Sequence, residues 1–315
     1  MGQLILRRLV ATLPVLFLVS LGVFLLIHLV PGDPVEAMLG ESQDEIAKTA
    51  LRQELGFDQP LYIQYLSWSG RLLRGDLGRS VRTHAPVLED VSRRLRPTLE
   101  LTIFAMCISL GIAFPVGIIS ATRRNSVFDN VGTAFALFGI CMPNFLLALL
   151  LIFVFGVRLH WLPISSFVDP LEDPINGVRS LALPAITLGL ALAAVITRTL
   201  RSSLLETLTE DYVRTARAKG LVESAVLRSH ALKNAMIPVI TVLGLQFGTL
   251  IGGAVITEYV FALPGVGRLV VDAVFSRDYP LVQGVVLLIA CGFIASNLVV
   301  DIVYGWLDPR IRYSA

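Results

Sequence analysis

The residues able to do chemistry in this chain are sparse and poorly spaced for it. Its only lysines, Lys48, Lys219 and Lys233, follow Ala47, Ala218 and Leu232, so no Gly-Lys-Ser/Thr loop exists to cradle a nucleotide's phosphates. His28, His84, His160 and His230 are scattered, without the His-Glu-x-x-His spacing that places two zinc ligands on one helix face. Gly40-Glu41-Ser42 opens like a nucleophile elbow, but position 44 is Asp where that motif needs Gly, and a helix-capping role with Glu45 already accounts for Ser42. Cys107, Cys141 and Cys291 fall in separate apolar stretches, which suits neither a disulfide framework nor paired metal ligands and reads as packing thiols. Glu100, Arg198, Glu258 and Asp301 lie near the ends of apolar stretches whose centres carry no ionisable group. A proton-driven transporter would be expected to keep an acidic relay at mid-depth, and an intramembrane enzyme would need clustered polar groups. Neither pattern is present, so the expectation is a non-enzymatic chain with no metal and no cofactor of its own.

Function is better sought in the polar, basic loop from Glu206 to Asn234, ETLTEDYVRTARAKGLVESAVLRSHALKN, set between two segments apolar enough to cross a membrane. Thr207 and Glu210 fit a capping box, Tyr212 to Lys219 make about two helical turns, and Gly220 supplies the stop. Arg217 and Lys219 in the last turn suit the negative end of the helix dipole, and Tyr212 and Ala216 lie one above the other on a face that could dock. A short rigid helix held against a membrane is useful if a soluble partner grips it.

The elements that must position this helix are membrane spans. Apolar residues make up 55% and charged residues 16% of the chain, against roughly 45–50% and 25% in soluble domains, and mean hydropathy is +0.73. Stretches of about twenty apolar residues at Leu9–Val30, Leu99–Ala121, Val131–Phe155, Leu181–Thr197, Ile237–Ile256 and Leu281–Tyr304 predict six transmembrane helices in an all-α integral membrane protein. The fourth is the shortest, opened by Pro184 and closed by Arg198 and Arg201. Six spans put both termini on one side. Arg7, Arg8, Arg123, Arg124, Arg198, Arg201, Arg214, Arg217, Lys219, Arg228, Lys233, Arg310 and Arg312 then share the side that the positive-inside rule makes cytoplasmic. The first span is read as an uncleaved anchor, since it is too long for a signal-peptide core and ends in Pro31-Gly32-Asp33-Pro34 with no cleavage pattern. The segment Pro31 to Thr98 is external, with short helices expected from the Ser42–Glu45 capping box to Gly56, with Ile46, Ala50 and Leu55 on an apolar face, and over Tyr62–Leu73 and Pro86–Leu95.

Within the spans, Gly244, Gly248 and Gly252 recur at four-residue steps and make a ridge of small residues. It reads either as helix packing inside the chain or, with Gln246 nearby, as the border of a translocation path or of a partner subunit. Pro143-Asn144, in the middle of the third span, carries the same two readings, since a proline kink frees backbone groups able to line a cavity. Asn297 reads as interhelical glue or a substrate ligand. The formal charge of +2 follows from topology and gives no reason to expect nucleic acid.

Asp211-Tyr212-Val213-Arg214-Thr215-Ala216-Arg217-Ala218-Lys219-Gly220, then His230-Ala231-Leu232-Lys233-Asn234-Ala235 and Pro238, resembles the cytoplasmic coupling loop of binding-protein-dependent ABC importer permeases, specifically the peptide and nickel branch. The resemblance extends to Pro31-Gly32-Asp33-Pro34, Gly75-Asp76-Leu77-Gly78, Glu258-Tyr259-Val260-Phe261 with Pro264-Gly265-Val266-Gly267, Arg277-Asp278-Tyr279-Pro280 and the ending Asp308-Pro309-Arg310-Ile311-Arg312-Tyr313. Together these cover almost the whole chain, and the first permease of a dipeptide, oligopeptide or glutathione system is the most similar type.

The resemblance implies a type I importer fold, with residues 1–98 as anchor and external segment and 99–315 as the permease core containing the coupling loop 206–234. It implies that Tyr212, Arg214, Ala216, Arg217 and Gly220 face a groove of a cytoplasmic ATPase. The general importer motif is Glu-Ala-Ala, three residues, then Gly, whereas here Arg214-Thr215-Ala216 precede Gly220, so only Ala216 and Gly220 carry over directly. Implied partners are a homologous second permease, two ATPases holding ATP and Mg, an external substrate-binding protein and the lipid bilayer, in a bacterial inner membrane. Dipeptides or oligopeptides rank first as substrate, with glutathione or nickel chelates open. The rival class is a secondary transporter or channel working without nucleotide.

Overall fold

The structure, a computed structural model, describes residues 2–29, 35–36, 45–252 and 254–307. Pro31–Pro34, Ser42 of the expected capping box and Asp308–Tyr313 lie outside the described residues. Among those described, the chain is helical, with one isolated bridge between Arg79 and Pro86.

Helix α1 (Gly2–Leu29) is followed by the short helices α2 (Glu45–Leu55) and α3 (Leu61–Leu73), then by α4 (Val87–Thr122). The short helix expected at Pro86–Leu95 and the span expected from Leu99 are one continuous 36-residue rod, with Pro97 and Pro115 inside it and Pro86 before its first turn. At 1.5 Å per residue it is about 54 Å long, well beyond the ~30 Å hydrocarbon core, so its first turns stand clear of the apolar layer. Those turns carry the charge: Arg96 reaches both Glu100 at 3.1 Å and Asp169 at 2.6 Å.

The expected third span is not a kinked helix. Helix α5 (Val127–Cys141) stops and α6 (Asn144–Arg158) restarts at an angle of 103°. Pro143 cannot donate to the helical ladder and drives its predecessor out of helical conformation; Met142 is extended at φ −76°, ψ 123°. The second half of α6, Ile152–Arg158, widens into a π-helix. Among the described residues five helices are long and apolar enough to span a membrane, and the bent pair makes up to six.

Helix α7 (Pro174–Thr207) contains the shortest of the expected spans, yet it is the most buried of the spanning helices, with 72% of its apolar window covered. It packs most extensively against α4, where Gly189 sits on the Ala105 carbonyl and Ile108 and Gly117 sits on Leu200. Pro184 is buried inside it without ending it. Beyond the basic loop, α9 (Glu223–Ile251) ends five residues short of the expected Ile256 and gives way to two short helices, α10 (Val255–Val260) and α11 (Val266–Phe275), before α12 (Tyr279–Leu307). Helix α1 lies on α12, where the Gln283 side-chain amide donates to the Val23 carbonyl at 3.2 Å. It also meets α3 through Phe24, Tyr65 and Trp68.

Of the expected apolar face of α2, Ile46 is 81% exposed and Ala50 is exposed. Cys107, Cys141 and Cys291, expected as packing thiols, are exposed on the surface of this chain.

Candidate functional site

The basic loop folds as expected in outline and differently in detail. Its helix, α8 (Asp211–Ala218), leaves α7 after only Leu208, Thr209 and Glu210. The Thr207–Glu210 capping box does not form. Helix α7 runs through Thr207, whose hydroxyl donates to the Ser203 carbonyl at 2.8 Å, as helical threonines do, and α8 starts at Glu210 without a side-chain cap. The C-terminus is a Schellman stop: Gly220 at φ +80° returns its N–H to the Arg217 carbonyl at 2.9 Å and Leu221 returns its N–H to Ala216 at 3.4 Å.

Helix α8 is strongly two-faced. Val213 and Ala216, three residues apart, are 0% and 3% exposed and pack against Val226 and Leu208. Ala216 therefore points into the loop's own small core. Tyr212 is partly exposed, and its phenolic oxygen accepts from the Asn234 amide at 2.7 Å, tying α8 to α9. Arg217 is occupied within the loop, where its guanidinium reaches both Glu223 carboxylate oxygens at 3.1 and 2.7 Å. That hydrogen-bonded pairing raises the Arg217 pKa. The outward row is Arg214, Thr215, Ala218 and Lys219, continued past the glycine by Leu221 and Val222, 43% and 68% exposed. Sequence reasoning passed over that last pair; two apolar residues after a helix stop, outside any helical period, were the available signal.

At the other end of the bundle, the residues Glu258 to Gly267 form a second built arrangement. Glu258 is completely buried. Its Oε1 accepts from the Thr98 hydroxyl of α4 at 2.8 Å and its Oε2 from the Arg268 N–H of α11 at 3.0 Å. Thr98 in turn accepts the Val266 N–H at 2.9 Å, so one carboxylate and one hydroxyl cap the first turn of α11. A Cβ on Gly265 would overlap the carboxylate, and one on Gly267 would lie 2.9 Å from the Val255 Cα and 3.0 Å from Glu258 Oε2. Burial pushes the Glu258 carboxyl above its ordinary range, opposed by the hydrogen bonds from Thr98, Arg268 and Gly267. Asp278 is built similarly. It caps α12 through the Leu281 N–H, accepts from the Ser80 hydroxyl and from the Val81 N–H at 3.3 Å, and so fastens the external segment. Asp76 accepts from the Gly78 N–H at 2.9 Å, and Gly75 and Gly78 take φ values of +81° and +84°, which explains the Gly-Asp-Leu-Gly run.

The residues singled out along the spans are dispersed. Gly244, Gly248 and Gly252 face α12, meeting Val300, Phe293 and Ile289. Gln246 is half-buried on α9, and Asn144 stands exposed in the first turn of α6, beside the Pro143 break. Asn297 lines a small cavity of about 210 Å³ with Arg8, Thr12 and Asp301, where Arg8 and Asp301 pair at 3.3 Å. Among the described residues no three His, Cys, Asp or Glu side chains are grouped so as to hold a metal.

Comparison with known proteins accounts for this arrangement. Residues 113–313 match the model of the binding-protein-dependent transport system inner membrane component, and residues 1–102 match that of the N-terminal part of such components. The chain is 42% identical over 313 residues, 99% of it and 100% of the relative, to the probable peptide ABC transporter permease protein y4tP of Sinorhizobium fredii. It is 45% identical over 309 residues, 98% of each chain, to the glutathione transport system permease protein GsiC of Escherichia coli K12. Its fold resembles a chain of the inward-facing MetNI methionine ABC transporter with a TM-score of 0.57 at 18% identity, covering 70% of this chain and 96% of that one. Over almost its whole length, from the anchor helix through the two-faced loop helix to the capped helices beyond it, this chain belongs to the family of inner-membrane permeases of binding-protein-dependent ABC transport systems.

Proposed function

We propose that this multi-pass permease forms half of the path of an ATP-driven importer of small peptides, with dipeptides or oligopeptides as substrate and glutathione, itself a tripeptide, as the alternative. The observation that carries this reading is α8. One face is buried on Val226 and Leu208, the other presents Arg214, Thr215, Ala218 and Lys219, and a rigid glycine stop ends it three residues before α9 begins the next span. A helix so fixed can transmit force from a soluble partner without deforming. In this reading the partner is a pair of ATPases that hold ATP and Mg, Arg214 and Lys219 contact their surface, and a second permease completes the path. An external binding protein delivers substrate to the opposite end, where Gly75–Gly78 and Glu258–Pro280 lie. The loop and both termini then face the cytoplasm, a reading supported by the basic residues of the short loops. The names of the relatives support peptide and glutathione as substrates in equal measure.

The test is purification of the chain from its native membrane in mild detergent, with mass spectrometry of what accompanies it, followed by reconstitution with the recovered binding protein. The expected result is co-purification of ATPases and a second permease, and uptake of labelled dialanine or glutathione that requires ATP. Substrate movement by the chain alone, without nucleotide, would overturn the proposal.

A further inference from the structure

The first turn of α5 is bolted to α7 by a buried ion pair. Arg201 donates to Asp129 through Nε at 2.6 Å and Nη2 at 2.9 Å, one nitrogen to each carboxylate oxygen. The Asp129 side chain is 3% exposed and that of Arg201 26%. The carboxylate also accepts the Asn125 N–H at 2.9 Å, and the Asp129 N–H donates to the Ser126 hydroxyl at 3.3 Å, so the start of α5 is held on several sides. Farther along, α5 is seated where a Cβ would not fit: one on Gly132 would overlap the Ser120 hydroxyl of α4, and one on Gly139 would lie 2.7 Å from the Ala194 Cβ of α7.

The other end of the linkage is the loop helix. Arg201 lies less than two turns from the end of α7, and three residues later the chain enters α8. Leu208, between them, packs both against Val213, Ala216 and Val226 of the loop and into the cluster of Ala121, Leu204, Ala231 and Ala235. A displacement of α8 is therefore delivered to α7 at the level where α7 is fastened to α5. Helix α5 ends at Met142–Pro143, where the chain turns by 103°. It has the form of a lever, clamped at its base and jointed at its tip.

A buried ion pair contributes little net stability compared with an apolar pair of similar volume, whereas its forked geometry admits one register. Retention of charge here is explained by positioning more readily than by stability. We infer that Asp129 and Arg201 are positioning residues that pass movement of the loop helix through α7 to α5, and so to the broken span. The inference rests on the importer reading.

The test uses the complete reconstituted complex and compares D129N, R201Q, R201K, the double variant D129N/R201Q and the apolar pair D129L/R201M. The readouts are yield of assembled complex, thermal stability and labelled glutathione or dialanine moved per ATP hydrolysed. The expected result is a fall of about tenfold or more in substrate moved per ATP for D129N and for R201Q, and a smaller fall for R201K, which keeps the charge. The double variant should fall no further than the worse single, because both residues serve one link. D129L/R201M should recover assembly and stability while remaining uncoupled. Wild-type coupling in the single variants, additive losses in the double, losses that follow assembly alone, or recovered coupling in D129L/R201M would each overturn the inference. Absence of ATP-driven uptake of either probe by the wild-type complex would instead refute the importer reading, and the inference with it.

Discussion

Gly265→Ala should be among the most damaging one-carbon additions in the molecule, for a reason that a second substitution can isolate. The residue has φ −96° and ψ 178°, an extended conformation that alanine adopts freely, so backbone strain does not enter. The added Cβ would overlap the carboxyl group of Glu258, which is fully buried. Relief requires the carboxylate to move off its donors, the Thr98 hydroxyl at 2.8 Å and the Arg268 N–H at 3.0 Å. Hydrogen bonds to a charged group are worth about 1.5–3 kcal/mol each, which puts the loss at roughly 3–6 kcal/mol. At about 2–4 °C per kcal/mol for a chain of this class of size, the melting temperature should fall by roughly 6–24 °C. Intrinsic tryptophan fluorescence on heating the purified protein in nanodiscs would report it through Trp68 and Trp161. Glu258→Ala will be destabilising in its own right, but it removes the wall that the new methyl group meets. On that background Gly265→Ala should cost less than about 1 kcal/mol, so the two changes should be strongly non-additive. An equal cost in both backgrounds, or a harmless Gly265→Ala in the native protein, would refute the capping account of the Glu258 to Gly267 motif.

Gly244→Ala tests the packing of α9 on α12. Its Cβ would overlap Val300, whose two methyl groups cannot both swing aside, at a cost of about 1–3 kcal/mol, and Val300→Ala in the same protein should return most of the lost stability. Failure of V300A to compensate would remove Val300 as the cause. Gly220 tests the loop stop: nothing lies within 4 Å of its Cβ position, so only the φ of +80° resists a side chain. Gly220→Asn should retain ATP-driven uptake, whereas Gly220→Val should lose stability in the loop by about 1–2 kcal/mol, read as faster protease cleavage there. Equal behaviour of the two variants would show that backbone conformation at this residue is unimportant.

The existence of the spans was legible because burial in a bilayer needs only length and apolarity, and the basic loop was legible because its polarity interrupts them. The interior architecture was less so. The span in α7 looked shortest because Pro184 was read as opening it and Arg198 and Arg201 as closing it, yet Pro184 sits inside the helix and Arg201 is paired with a residue 72 positions away, which local patterning cannot see. Helices α5 and α6 were joined into one span because hydropathy is blind to direction; the proline was noticed, but a kink and a 103° turn leave the same signal. Ala216 was placed on a docking face because i and i+4 neighbours share a side of a helix, while the residue that decides its orientation, Val226, lies beyond the loop's own helix. Glu258 was passed over as a charge near the end of a span. Its donors come from residues 98 and 268, and only folding brings them together.

Two of the buried carboxylates, Glu258 and Asp129, also explain how a bundle of this kind can be both anchored and movable. Along α4, Thr98 holds Glu258 and Ser120 packs on Gly132, one turn from Asp129. These points are about 22 residues apart, or ~33 Å of helix, close to the ~30 Å thickness of a hydrocarbon core. Charge is thus concentrated at two levels, where Glu258 and Asp129 each accept hydrogen bonds from more than one element and a displaced helix would leave a buried carboxylate without partners. Between those levels the contacts are of another kind: Gly189 on the Ala105 carbonyl, Gly139 on Ala194, Gly248 on Phe293. Such small-residue contacts allow close approach of backbones without a directional bond of their own; the seam of α9 and α12 adds one, from the Ser296 hydroxyl to the Gly244 carbonyl at 2.8 Å. The ends therefore fix register, and the middle offers little resistance to a change in crossing angle.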